Sequence, residues 1–158
     1  MFRIGNGYDV HRLRAGSKMR IGGIDIPSDY EIVAHSDGDI VIHALMDSIL
    51  GALGEDDIGT HFPDTDERYK GADSSVLLEQ VLGVMKDKGY QIENIDITVV
   101  LEKPKLRKHI PNMKKTLAGM IDIEEGQLNI KATTSERMGF VGRAEGIESY
   151  SVCLLSRR

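Results

Sequence analysis

The stretch that most limits how this chain can fold is DIVIHALMDSILGAL, residues 39–53. Its apolar residues fall on nearly every side of a helix, so the helix it forms must be buried. Ser36 or Asp37, just ahead of it, is the expected N-cap. A buried helix needs a covering layer, and the rest of the chain offers one. FRIGNGYDVHRL (2–13) and KMRIGGIDIP (18–27) read as two short strands with a turn near Gly16. SSVLLEQVLGVMKDKG (74–89) is an amphipathic helix ending at Gly89. NIDITVVLE (94–102) places Ile95, Ile97, Val99 and Leu101 on one side of a strand. HIPNMKKTLAGMI (109–121) spaces Ile110, Met113, Leu117 and Met120 along one helical face. QLNIKATTSE and GIESYSVCLLS close the chain as two further strands. The expected order is β-β-α-α-β-α-β-β, packed as one sheet with helices on one face in a single domain, 1–158.

With 158 residues, 41% hydrophobic and 28% charged, the chain can build one proper core. It has no Trp, so that core rests on Ile, Leu, Val and Met. The net charge of −5 gives no basic field to attract nucleic acid, and local groups must hold any anionic ligand. The single cysteine, Cys153, excludes an internal disulfide framework and a thiolate-cluster zinc site. It lies in a strand-like run, where a buried inert thiol is expected. No signal peptide or membrane-length apolar run is read, and a cytoplasmic location is expected.

Several short stretches carry candidate chemistry. In GYDVH, Asp9 and His11 stand two apart on a strand and so share a face. Alone, such a pair is a weak metal signal. With His43 from the buried helix it becomes two imidazoles and a carboxylate with an open fourth position, the layout of a catalytic zinc. Asp39 and Asp47, one helical turn either side of His43, could orient its ring or simply face water. In AHSDGD, His35 and Ser36 offer a proton donor and a hydroxyl; a plain capping turn is the alternative. In FPDTD, Asp64 and Asp66, with Asp57 upstream, could accept hydrogen bonds from sugar-like hydroxyls or belong to a solvated turn. In KATTSE, Thr133 and Thr134 with backbone amides could cradle a diphosphate, and Glu136 could hold a hard cation. The parts together suit chemistry on a phosphorylated polyol.

GYDVH, AHSDGD with His43 seven residues after Ser36, DIGTHFPDTD, KGADS and KATTSERMGFVGRAEGI occur in order over essentially the whole chain. The chain thereby resembles the 2-C-methyl-D-erythritol 2,4-cyclodiphosphate synthase family of the non-mevalonate isoprenoid pathway. Asn6, where some relatives carry His, and Ser135, where Thr is common, depart from the pattern without removing a ligand or a hydroxyl. The resemblance implies an α+β, Bacillus chorismate mutase-like fold. It is a two-layer sandwich, with one mainly four-stranded sheet, helices on one face and a small β-hairpin. It implies that Asp9, His11 and His43 hold one Zn²⁺ per subunit. His35 and Ser36 lie near the reacting phosphates, and His35 and Thr134 stabilise the transition state. The erythritol pocket is Asp57, Ile58 and Gly59 with Phe62, Pro63, Asp64, Thr65 and Asp66. The cytidine diphosphate pocket is Leu101, Pro104, Lys105, Leu106 and Arg107 with Ala132, Thr133, Thr134 and Ser135. Glu136 binds Mg²⁺ or Mn²⁺ between the substrate phosphates, and Phe140 and Arg143 lie near the substrate or the trimer axis. A homotrimer with active sites shared between subunits follows, around a central cavity able to take a prenyl diphosphate.

The implied reaction makes the chain a phosphorus-oxygen lyase. The 2-phosphate of 4-diphosphocytidyl-2-C-methyl-D-erythritol 2-phosphate attacks the β-phosphorus, and CMP leaves. No protein nucleophile is needed, so catalysis is positioning and electrostatics. Two other readings stand beside it: a zinc-dependent phosphoesterase using bound water, and a non-catalytic nucleotide- or metal-binding module.

Overall fold

The structure, a computed structural model, describes residues 1–158. The chain runs β1 (Phe2–Ala15), β2 (Lys18–Ile21), β3 (Ile24–Pro27), β4 (Tyr30–Val33), α1 (Ile40–Leu53), α2 (Ile58–His61) and α3 (Ser74–Asp87). It continues β5 (Tyr90–Val100), α4 (Ile110–Ile121), β6 (Leu128–Thr133), α5 (Gly139–Gly142) and β7 (Gly146–Arg157). One mixed sheet has the order β4-β1-β7-β5-β6, and β2 and β3 form a separate hairpin. All pairs in the main sheet are antiparallel except β5 with β6. That parallel pair requires a crossover, which α4 supplies.

The expected sheet, hairpin and helices are all present, and the structure adds detail. KMRIGGIDIP is two strands, because Gly22 and Gly23 both take positive φ (62° and 79°) and reverse the chain. β4 adds a fifth, four-residue strand at the edge of the main sheet. The helix expected at 39–53 is α1, with twelve of its fourteen residues buried. Its N-cap is Asp39, not Ser36 or Asp37. Asp39 Oδ1 accepts from the N–H groups of Gly22 (2.9 Å) and Ile42 (3.2 Å), and Oδ2 accepts from Gly23 (2.7 Å). One carboxylate thus caps α1 and fastens the hairpin turn to it. Asp39 is 0% exposed, and its burial pushes the carboxyl up to about 6 despite three N–H donors. Ser36 and Asp37 instead accept from Gly38 (3.3 Å) and Asp39 (3.1 Å) inside the preceding turn.

α1 lies directly on β1. A Cβ on Gly5 would fall 1.7 Å from the Ser48 carbonyl oxygen, and one on Gly7 1.9 Å from that of Ala44. Two strand residues advance about 7 Å and four helix residues about 6 Å, so the two bare strand positions meet successive turns of the helix. On the same face of β7, Ser149, Ser151, Cys153 and Leu155 are buried. Ser48 Oγ lies 2.9 Å from Ser151 Oγ, and Cys153 Sγ donates to the Ser48 carbonyl at 3.2 Å. Burial raises the Cys153 thiol, as suits an inert core cysteine. The opposite face of β1 and β7 carries no helix and exposes Phe2, Ile4, Tyr8, Val10, Tyr150 and Val152. No helix is long and apolar enough to cross a membrane.

Gly7→Ala should destabilise the fold at or beyond the upper end of the ~1–3 kcal/mol typical of overpacking, because the obstacle is backbone. Thermal unfolding will show it as a lowered Tm. A Tm equal to wild type would mean that α1 can lift off β1 freely.

Candidate functional site

Asp9 and His11 follow Gly5 and Gly7 on the face of β1 that meets α1, and His43 is in the first turns of that helix. The close α1–β1 approach therefore brings the three side chains together. Asp9 Oδ2 lies 3.0 Å from His11 Nε2 and 3.0 Å from His43 Nδ1, and the two nitrogens are 3.1 Å apart. Bonds of about 2.0–2.1 Å to a tetrahedral cation require ligand edges of about 3.3 Å, close to this triangle. The donor set fits as chemistry too: a carboxylate and two imidazoles are zinc ligands, and all three can present lone pairs to one point.

The second nitrogen of His43 fixes its ring. His43 Nε2 lies 2.9 Å from Ser74 Oγ and 3.1 Å from Ser36 Oγ. Ser74, the first residue of α3, is 0% exposed. Its hydroxyl donates to Asp37 Oδ1, and its N–H donates to Asp37 Oδ2 at 2.9 Å. Neither Asp39 nor Asp47 orients the imidazole. Asp39 serves the cap and the hairpin, and Asp47 Oδ1 accepts from the Ile58 N–H at 2.8 Å, anchoring α2. Burial would raise Asp9, but hydrogen bonds from His11 and His43 outweigh it and hold the carboxyl down at about 2. Burial would lower His43, but Asp9 beside it prevails and the imidazole is raised.

The triangle opens into a cavity of about 240 Å³, walled by His35, Ser36, Ile58, Gly59, Phe62, Asp64 and Tyr69 among others. His35 Nε2 is buried there without a partner. Phe62 and Tyr69 meet edge to face at 5.4 Å. Asp57 turns to the backbone, capping α2 through the N–H of Thr60 at 2.9 Å. Pro63, Thr65 and Asp66 are in the adjoining turn, outside the lining, and Asp66 pairs with Arg68 at 2.6 Å.

A second cavity, of about 410 Å³, is lined by Leu101, Pro104, Lys105, Leu106 and Arg107 with Ala132, Thr133 and Thr134. Residues of both segments line this one cavity, and Ser135 lies outside the lining. Glu102 shapes the loop beside the cavity. Its Oε1 accepts from the N–H groups of Ser135 (3.1 Å) and Arg137 (3.2 Å). Glu136 is in that loop at φ 54°, and its N–H donates to Thr134 Oγ1 at 3.2 Å. Phe140 packs over Gly146, and Arg143 pairs with Glu145 at 3.0 Å. The two cavities share no residue. Asp9, Ser149, Val99 and Ala132 form one row across the sheet, three strand spacings long, or about 14 Å. Sequence reasoning missed Ser74, whose only local signal was its position at the start of a helix.

Residues 2–156 match the family model described as YgbB family. A protein of Geotalea daltonii named 2-C-methyl-D-erythritol 2,4-cyclodiphosphate synthase is 54% identical over 99% of this chain and 91% of its own. A Plasmodium falciparum structure titled as an IspF CDP complex superposes with a TM-score of 0.89 at 35% identity, over 99% of this chain and 97% of the other. The structure titled bifunctional IspDF from Campylobacter jejuni gives 0.96 at 39% identity, with all of this chain matching 43% of that one.

Divalent-cation affinity should weaken as pH falls. His43 is raised above the ordinary imidazole value of about 6.5, so its proton competes with a cation from near-neutral pH downward. Isothermal titration with Zn²⁺ from pH 8 to pH 6 tests this. Affinity independent of pH would remove His43 from the ligand set.

Proposed function

The chain belongs to the YgbB family, and on that footing we propose that it performs the 2-C-methyl-D-erythritol 2,4-cyclodiphosphate synthase reaction of isoprenoid biosynthesis. The substrate is 4-diphosphocytidyl-2-C-methyl-D-erythritol 2-phosphate. A 2-phosphate oxygen bonds to the β-phosphorus, the bond from β-phosphorus to the α–β bridging oxygen breaks, and CMP departs with that oxygen. The observation that carries the reading is the Asp9–His11–His43 triangle facing a cavity, accompanied by a separate cavity lined by Lys105, Arg107 and Lys131.

Zn²⁺ on Asp9, His11 and His43, and Mg²⁺ or Mn²⁺ on Glu136 with the substrate phosphates, would neutralise phosphate charge and stabilise the leaving group. The chain's own residues do the positioning. Ile58, Gly59 and Phe62 shape the wall for the methylerythritol, with Asp64 offering a hydroxyl acceptor. His35 and Ser36 sit where phosphate oxygens enter, and the unpartnered His35 Nε2 is free to bond one. Lys105 and Arg107 meet the cytidine diphosphate, and Thr134 places a hydroxyl toward developing charge. Phe140 and Arg143, beside that loop, stand near the substrate or the trimer axis. No protein nucleophile is required, consistent with Cys153 being buried with a raised thiol.

Separate half-sites on one chain support a site completed between subunits. The exposed apolar face of β1 and β7 is the surface a homotrimer would cover, around a central cavity able to take a prenyl diphosphate. A reducing cytoplasm suits the lone cysteine.

CMP release from the cytidine diphosphate substrate, with metal content measured on the same sample, tests the reading. Activity without CMP release, or product carrying ¹⁸O from solvent, would support a phosphoesterase instead. His11→Ala and His43→Ala should each lose bound zinc and turnover together; full zinc occupancy in either would refute the ligand assignment.

Two inactive variants should also rescue each other. Asp57→Ala damages the polyol half and Thr134→Ala the cytidine half. Mixed trimers formed by co-expression contain some sites with both halves intact, so activity should reappear. Mixed trimers verified by mass and no more active than their parents would place the whole site within one chain.

A further inference from the structure

We infer that Ser74, backed by Asp37, is the positioning group that makes His43 a metal ligand, by fixing which ring nitrogen carries the proton. The inference rests on the metal-centre reading above and assigns to that centre two residues outside its ligand set.

The protons can be counted one by one. Ser74 has a single hydroxyl proton, and Asp37 Oδ1 takes it. Asp37 cannot return one: its Oδ2 accepts from the Ser74 N–H at 2.9 Å, and its Oδ1 also accepts from the Asp39 N–H at 3.1 Å. Three N–H and O–H donors thus converge on this carboxylate and hold it as an acceptor. With its proton committed, Ser74 Oγ can only accept from His43 Nε2, 2.9 Å away. Nε2 therefore carries hydrogen, and Nδ1, whose proton bonds Asp9 Oδ2 while the ring is charged, presents a lone pair once a cation takes that proton's place. That lone pair faces Asp9 Oδ2 at 3.0 Å and His11 Nε2 at 3.1 Å, an arrangement that suits a cation between them.

Ser36 Oγ, 3.1 Å from the same Nε2, cannot make this choice. It accepts from the Gly38 N–H at 3.3 Å, but no acceptor takes its own proton, so it can either give to the imidazole or receive from it. Only Ser74 is committed. Its backbone start of α3 and its contact with Asp37 also tie that helix to the turn before α1, so ring orientation and helix packing are set together.

The test uses the full-length protein and Zn²⁺ as the probe. Ser74→Ala should lower Zn²⁺ affinity by about 10–100-fold in chelator competition, the range for loss of a ligand's outer partner. Asp37→Ala should lose at least as much, because nothing then takes the Ser74 hydroxyl proton and that hydroxyl is free to donate to Nε2, which drives the ring proton to Nδ1. Nitrogen NMR of ¹⁵N-histidine-labelled protein reads the tautomer directly. Zn²⁺-loaded wild type should show a His43 Nε2–H protected from water exchange, and Ser74→Ala should lose that protection. Wild type that binds no Zn²⁺ overturns the metal centre itself. Wild type that binds while Ser74→Ala matches it in affinity and exchange overturns only the relay. Should Ser74→Ala fail to fold, wild type still decides: an Nε2–H exchanging like an exposed imidazole overturns the inference.

Discussion

The triangle of Asp9, His11 and His43 depends on a contact made without side chains. β1 offers α1 the bare backbone of Gly5 and Gly7, and α1 answers with the carbonyl edges of Ser48 and Ala44. Because strand and helix advance by similar distances, the approach continues down the pair rather than ending at one crossing. The next two inward positions on β1 are Asp9 and His11, and the next inward side chain of α1 is His43. A larger residue at either glycine would act as a wedge between backbones, and ligand atoms 3.0 Å apart tolerate little of that. Packing and metal chemistry are therefore one constraint seen at two points along the same interface.

The polar groups around this interface divide into two kinds. Asp39, Asp37 and Asp47 each accept from backbone N–H groups and so are fully employed in building the scaffold. Asp39 and Asp37 fasten the hairpin and α3 at the N-terminal end of α1, and Asp47 fastens α2 to its middle. At the triangle the balance reverses. Asp9 and two ring nitrogens turn acceptor capacity toward a single point, with few protons to share among them. A core that satisfies its other carboxylates so consistently singles out this point as the place for a cation.

Much of this was legible in the sequence, by different routes. Burial of α1 followed from its all-round apolar character, and the Asp9–His11–His43 set followed from strand alternation plus a histidine in a buried helix. The hairpin was read as one strand because Met19, Ile21, Ile24 and Ile26 are apolar on both sides of the Gly22–Gly23 reversal. β4 escaped because four edge residues, three half-buried and one exposed, carry no periodicity. The cap was misplaced because SDGD offers three acceptors in four residues, and only the hairpin turn, distant in sequence, recruits Asp39. Asp47 and Ser74 acquire their partners through the docking of α2 and α3, which no local pattern encodes. His35, Thr134 and Glu136 were candidates from their local stretches, and the family resemblance gave their specific roles; the structure contributes their surroundings.

Charge explains why a chain of net −5 can serve a polyphosphate substrate. The cavity of residues 101–134 is lined by Lys105, Arg107 and Lys131 and by no acid. The cavity at the triangle is lined by Asp9 and Asp64 and by no Lys or Arg. A phosphate about 4 Å from one carboxylate meets roughly 4 kcal/mol of repulsion at an effective dielectric near 20. The second cavity can attract a nucleotide with its own side chains, whereas at the first a cation held by Asp9, His11 and His43 would supply the positive charge that its lining lacks. Loading with metal and admission of the reacting phosphates are then coupled at one place, while nucleotide recognition proceeds at another. A substrate holding both groups in one molecule is what would join them, with a cation on Asp9, His11 and His43 offsetting phosphate charge at the reactive half.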